Sequence, residues 1–494
     1  MSARLKIMRN SAFSLLSSLI TKSANILVFI LIARNLTVEE VGSYSLALTY
    51  GVIFVEMASW GLDQLFVRKV AGDLQKTIEY IVNFVLIRLL LSLFAYALLA
   101  VTVTSIIHYE PATTQFLVWV GITVIFDSVS NICQAVFIAY ERLIHVVPVS
   151  LAMGSFKLAS TWVGLRVAAG LPLLAGVIIG TSLVGMLFNL GVVCWRFVKS
   201  LPSEDRKGRQ INLGAWTSWL REAFPFVFIT LFYTLDYQLD VVMLSAWRGE
   251  EAVGLYSAAT AILFALLFIS RAFREAIFPV MSRLYPSDLI ALRKVYSNSA
   301  RWLLAIALPV ALGGTAIAGD LMTALYSESF DRSGPVLQII IWAVLFLFLN
   351  VPSARLMIVA GEQRPLARYV VASLSVNLLF NALIIPSHSY VGAAVTRLLS
   401  SALLFLLVYS HTYRHLIQFN LTTILLRPFV SASVMGAAVW LIKGSLPILL
   451  VIVVGVVSYG VMLWLVGFLS PDERDLLKHL VSKIRHHGAQ NWIS

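Results

Sequence analysis

Charge is scarce in this chain. Of its 494 residues only 13% are charged, whereas 59% are hydrophobic and the mean hydropathy is +0.86. A soluble domain carries about 25% charged residues, so the shortage excludes a water-soluble globule. Repeated apolar stretches of about 20 residues imply instead a polytopic helical membrane protein. Segments of alternating polarity are also missing, which excludes a β-barrel. Cysteine is nearly absent: Cys133 and Cys194 both fall within apolar segments, so no disulfide framework is expected. The first apolar segment is too long for a cleavable signal and lacks an A-x-A end, so it is expected to stay as a helix. No P-loop, H-E-x-x-H or G-x-S-x-G occurs, and the 8 histidines form no metal-ligand set. The expectation is a non-enzyme with no cofactor or metal. Any transport would then be driven by Na+, by H+, by the membrane potential or by the substrate gradient.

What is present is a series of about fourteen apolar spans, read at 11–33, 42–62, 79–105, 115–139, 146–166, 173–196, 223–246, 254–280, 302–325, 335–360, 367–386, 391–412, 421–442 and 447–469. The thirteenth is the weakest, because Arg427 and Pro428 interrupt it. Loops on the side of the N-terminus carry most of the basic residues, among them Arg68, Lys69, Arg206, Lys207, Arg293 and Lys294. The opposite loops hold Arg34, Arg166, Arg248, Arg332 and Lys443. This asymmetry predicts cytoplasmic termini. The net charge of +12 therefore reports topology and contact with anionic lipid headgroups, not nucleic acid.

The fold class expected is all-α, with two pseudo-symmetric six-helix lobes and two extra C-terminal helices. The polar stretch SLPSEDRKGRQ marks the division. The domains are read as a first lobe over 1–197, a linker over 198–221, a second lobe over 222–412, two added spans over 413–469 and a tail over 470–494. An internal echo supports the two lobes: VGSYSL (Val41 to Leu46) recurs as VGLYSA (Val253 to Ala258), 212 residues later. At that offset Gly42 maps to Gly254, Tyr44 to Tyr256, Asp63 to Glu275 and Phe66 to Phe278. Such a parallel repeat is typical of transporters with a site between the halves.

Charges within spans are expensive and mark function or pairing. The basic ones are Lys22, Arg88, Lys157, Arg271, Arg274, Arg355 and Arg397; the acidic ones are Glu56, Asp127, Asp236, Asp240 and Glu275. Arg88 and Arg355 lie near span ends and are expected to snorkel; Arg397 is ambiguous. Lys22, Lys157, Arg271 and Arg274 are the candidates for an anionic ligand such as a pyrophosphate or acidic sugar, since arginine forks suit phosphate oxygens. Tyr233, Tyr237 and Trp60 would stack on sugar faces or simply pack. A blander account pairs the charges structurally, for example Asp236 with Lys22 across the lobes.

RNLTVEEVGSYSLALTYG (Arg34 to Gly51) and SVNLLFNALIIPSHSYVGAAVTRL (Ser375 to Leu398) resemble the Wzx-type polysaccharide flippases of the MOP (MATE-like) transporter superfamily. The resemblance implies an inverted-V bundle in the bacterial inner membrane. It would carry undecaprenyl-pyrophosphate-linked oligosaccharide to the periplasmic leaflet, with a polysaccharide polymerase and a chain-length regulator as possible partners. Spans one, two, seven and eight would line its cavity, which places Asp236, Tyr233 and Tyr237 among the substrate residues. By likeness to the related lipid II flippases, Asp240, Asn377, Asn381 and Thr396 would form an ion-coupling site. The eleventh span has no carboxylate, however, and the asparagines would equally serve helix packing. Two competing readings are a MATE-type drug antiporter, which needs an acidic cavity, and a membrane polymerase or ligase, which needs a large loop outside the membrane.

Overall fold

The structure is a computed structural model that describes residues 3–140, 144, 146–167, 170–195, 211–468 and 473, without the side chains of 3–12 and 228–229. The expected linker thus lies outside the described residues up to 210, as does all of the tail except Glu473. No strand occurs among the described residues. The first lobe comprises α1 (Ala3–Asn35), α2 (Val38–Ser59), α3 (Leu62–Gly72), α4 (Thr77–Val101), α5 (Pro111–Gly121), α6 (Thr123–Ala139), α7 (Val146–Val167) and α8 (Leu171–Val193). The second comprises α9 (Leu213–Leu284), α10 (Leu289–Ala316), α11 (Ala318–Leu325), α12 (Gly334–Ile340), α13 (Ala343–Val359) and α14 (Gln363–His415). The added pair is α15 (Thr422–Ile442) and α16 (Ile448–Leu465).

Among the described residues, twelve helical segments are long and apolar enough to cross a membrane. Two of them, over 230–284 and 363–415, are of double length, and this accounts for the difference from the fourteen spans expected. Each contains one non-helical residue, Gly249 (φ 77°) in α9 and Ser389 (φ 51°) in α14. A left-handed backbone there breaks the helix, and hydrogen bonds join the two arms on either side. Tyr256 donates to Asp240 across the α9 break (2.8 Å), and Ser373 to the Ser400 carbonyl across the α14 break (3.0 Å). The interrupted thirteenth span is a continuous helix, α15. Its Arg427 reaches the Gly467 carbonyl at 2.8 Å, so the charge leaves the apolar zone along the helix surface.

The sequence echo is a contact. A Thr37–Glu40 capping box starts α2, with Thr37 N–H donating to Glu40 Oε2 at 3.0 Å and Glu40 N–H to Thr37 Oγ1 at 3.2 Å. Two residues further on, Gly42 packs against the backbone of Glu250, while Gly254 packs against that of Val38. Val38 and Glu250 are themselves repeat mates, so the contact is reciprocal: a pseudo-two-fold axis runs between Gly42 and Gly254. A Cβ on either glycine would overlap the opposing carbonyl oxygen. Lipid tails are as apolar as leucine, so close backbone approach through small residues is what holds such helices together.

The lobes are stitched further at this end of the bundle, the turn end. Tyr109 Oη lies 2.8 Å from Tyr50 Oη and 2.9 Å from Ser245 Oγ. Thr49 donates to Gln238 (3.2 Å), and Arg34 to the Leu325 carbonyl (2.8 Å). At the opposite, linker end, α9 begins as a surface helix on the first lobe. Trp219 is buried there against Phe84, with ring centroids 5.2 Å apart. Asn83 Oδ1 accepts from Asn212 N–H (2.9 Å) and Trp216 Nε1–H (2.7 Å), and Glu222 pairs with Lys69 (2.9 Å) and Arg68. Pro225, which lacks an N–H for the helical ladder, follows directly. Beyond it α9 belongs to the second lobe.

Candidate functional site

Between the lobes, below the seam at the turn end, cations converge. Lys22 on α1 lies within electrostatic reach of Arg271 and Arg274 on the second arm of α9. Arg274 in turn acts on Arg355 of α13 and on Tyr233 of the first arm. The Arg355 guanidinium lies 5.5 Å from the centre of the Phe278 ring, within electrostatic reach of Arg274 and Glu275. Arg274 is 3.8 Å from Glu275, but its buried Nε–H has no hydrogen-bond acceptor. Arg271, Glu275 and Tyr233 are exposed, and Lys22, Arg274 and Arg355 partly so. Four exposed or partly exposed cations thus lie within electrostatic reach of one another, with one carboxylate among them. Like charges repel in a medium of low dielectric, and a bound polyanion relieves that repulsion.

Two expected members of this group lie elsewhere. Lys157 turns into the first lobe, where its ammonium donates to Asn25 Oδ1 (2.9 Å) and faces Asp127. Asp127 also bonds Ser182. Asp236 does not pair with Lys22; it faces Arg397 at 3.4 Å. Trp60 lies tilted against Phe224 near the linker end (5.9 Å between centroids) and Tyr237 meets Phe264 edge-on (6.0 Å), so both rings pack against neighbours. Arg88, also expected to snorkel, is fully buried: it donates to Asp63 (3.2 Å) and to the Ser128 carbonyl (3.2 Å). Its anchoring partner lies on α3, 25 residues away in sequence, where helical periodicity gives no hint of contact. Glu56 stands beside this pair and bonds Thr230 of α9 across the lobes.

Asp240, Asn377 and Asn381 do come together, all of them buried; Thr396 is buried too, but its hydroxyl bonds none of them. Asn381 Nδ2–H donates to Asp240 Oδ1 (2.8 Å) and to Asn377 Oδ1 (3.1 Å), and Asn377 donates to Ser400 Oγ (3.3 Å). A further member is Arg397. Its Nε lies 2.7 Å and its Nη2 2.6 Å from Asp240 Oδ2, its Nη1 lies 3.4 Å from Asp236 Oδ2, and Nη2 also reaches the Asp236 carbonyl. The tip of the side chain stands 5.7 Å from the Tyr237 ring centre. Position within the span left Arg397 ambiguous because both acceptors come from α9, more than 150 residues earlier.

Two helical lobes joined by a pseudo-two-fold seam, with clustered cations below it, define a membrane protein of the transporter class. The chain belongs to the family described as polysaccharide biosynthesis protein, whose model matches residues 7–285. A second model, MatE, matches residues 225–383, and both place the chain in the MOP superfamily of flippases and transporters. It is 22% identical over 379 residues to the probable low-salt glycan biosynthesis flippase Agl15 of Haloferax volcanii, covering 75% of this chain and 76% of that protein. In fold it is similar to the lipid II flippase MurJ in an inward closed conformation, with TM-score 0.71 and 11% identity over 91% of this chain and 97% of that one. It is also similar to an inward-facing multidrug resistance MATE family transporter, with TM-score 0.61 and 13% identity over 84% and 95%.

Proposed function

We propose that this protein flips a polyprenyl-diphosphate-linked oligosaccharide, undecaprenyl in a bacterial inner membrane, from the cytoplasmic to the periplasmic leaflet for surface polysaccharide synthesis. The observation that carries this reading is the convergence of Lys22 from the first lobe with Arg271, Arg274 and Arg355 from the second. A diphosphate diester offers several anionic oxygens in a small volume, which suits three guanidinium forks and one ammonium. The lipid tail stays in the bilayer, and the sugars follow the headgroup through the accessible space beside Tyr233. With both termini in the cytoplasm, the turn end faces the periplasm, and the closed seam there makes this the loading state. The chain works as a carrier and not as an enzyme, and hands its cargo to a polymerase and a chain-length regulator. A cationic drug would meet four positive charges at this site, which disfavours the antiporter reading.

The test is the double variant Arg271→Ala with Arg274→Ala, scored by surface polysaccharide in a strain that lacks the wild-type gene. Loss of polymer at an unchanged membrane level of the protein is expected. Normal polymer at that level would refute the assignment.

A further inference from the structure

The cluster around Asp240 contains its own cation. Asp236 and Asp240 on α9, Tyr256 on the returning arm, and Asn377, Asn381 and Arg397 on the two arms of α14 form one buried polar assembly. Asp240 is 1% exposed and Arg397 5%. A free monovalent cation is held by several oxygen lone pairs pointing at one place. Here those lone pairs are directed at protein donors. Asp240 Oδ2 receives Arg397 and the Tyr256 hydroxyl, Asp240 Oδ1 receives Asn381, and Asn377 Oδ1 receives the same amide. Only Asn381 Oδ1 and Thr396 Oγ1 remain buried without a partner. Two oxygens beside a guanidinium do not make a cation cage, because the fixed charge repels the incoming one.

We propose that Arg397 is a tethered counter-cation. It takes the position a free ion would fill between α9 and α14, so assembly of the second lobe requires no Na+. The same guanidinium ties the second arm of α14 to the first arm of α9, while Asn381 ties the first arm of α14 to Asp240, and removing the charge of Arg397 leaves two carboxylates that must recruit a cation from solution. Arg397 is a positioning residue: it touches no part of the space lined by Lys22 and Arg271 and acts through Asp236 and Asp240.

The test reads cation binding directly and so does not depend on the substrate. Thermal unfolding of the full-length protein in detergent is followed in choline chloride as NaCl replaces it at constant ionic strength, with KCl as a second probe. The wild type is expected to show no saturable shift in Tm with Na+. Arg397→Gln, which keeps an amide donor but no charge, is expected to have a lower Tm in choline and to recover it saturably with Na+. Arg397→Lys is expected to stay indifferent to Na+ and gives the deciding comparison if Arg397→Gln does not fold. A saturable Na+ response in the wild type or in Arg397→Lys would overturn the proposal, as would a folded Arg397→Gln that ignores every added cation.

Discussion

Gly42→Ala is the sharpest perturbation the seam allows. The new Cβ would overlap the Glu250 carbonyl oxygen and stand 3.1 Å from Gly254 N, and those neighbours are backbone that cannot rotate away. Overpacking of this kind costs about 1–3 kcal/mol. The contact exists only while the turn end is closed, so the whole cost falls on that state. An energy of that size moves the closed-to-open equilibrium by roughly 5- to 150-fold. Gly51, on the same helix, supplies the control: nothing lies within 4 Å of its added Cβ, and Gly→Ala inside a helix gains about 1 kcal/mol. The assay is thiol labelling of Ser245→Cys, at a seam residue only 5% exposed, in a background where the exposed Cys194 is replaced by serine. Gly42→Ala and Gly254→Ala should each speed labelling about tenfold, and Gly51→Ala should leave it unchanged. Equal labelling in all of them would refute the reciprocal seam.

Arg88→Ala removes a fully buried guanidinium and leaves the partly exposed Asp63 carboxylate without its cation; the loss of this charged hydrogen bond is expected to cost about 1.5–3 kcal/mol, read as a lower Tm or less folded protein in membranes. At the linker end, hydrogen bonding from Lys69 holds the Glu222 carboxyl below its ordinary value of 4.5. A depressed carboxylate stabilises the docked α9 start above that pH, and the contribution is lost as pH falls through the lower folded value. Because the pair is solvent-screened, Glu222→Gln should cost less than ~1 kcal/mol at pH 7. It should also abolish the acid-side change in protease accessibility of the 211–226 segment.

The repeat could be read in advance because both copies of its contact must keep glycine: VGSYSL and VGLYSA retain the one residue type that lets two helix backbones touch. Lys22, Arg271 and Arg274 stood out because a charge within an apolar span is expensive and needs a partner or a use. A second group of residues shares a different property. Arg88, Lys157, Asp236 and Arg355 are settled by partners on other helices, and nothing in local periodicity says whether a charge near a span end turns outward to the headgroups or inward to a carboxylate. Arg397 is the extreme case. Its placement near the end of a span left it ambiguous, and two aspartates on α9 hold it in the buried interior.

A pair of identical subunits must repeat every side chain on both sides of its axis. Joining two copies in one chain lifts that restriction while leaving the axis in place. Gly42 and Gly254 still obey the old symmetry, because closing the seam needs both of them. Arg271 and Arg274 do not: the matching positions in the first lobe are Ser59 and Leu62. The two walls therefore move as equivalents and bind as opposites. An anionic headgroup would dock on the second lobe and meet the first mainly through Lys22, so the cargo enters in one orientation although the machine that turns it is nearly two-fold.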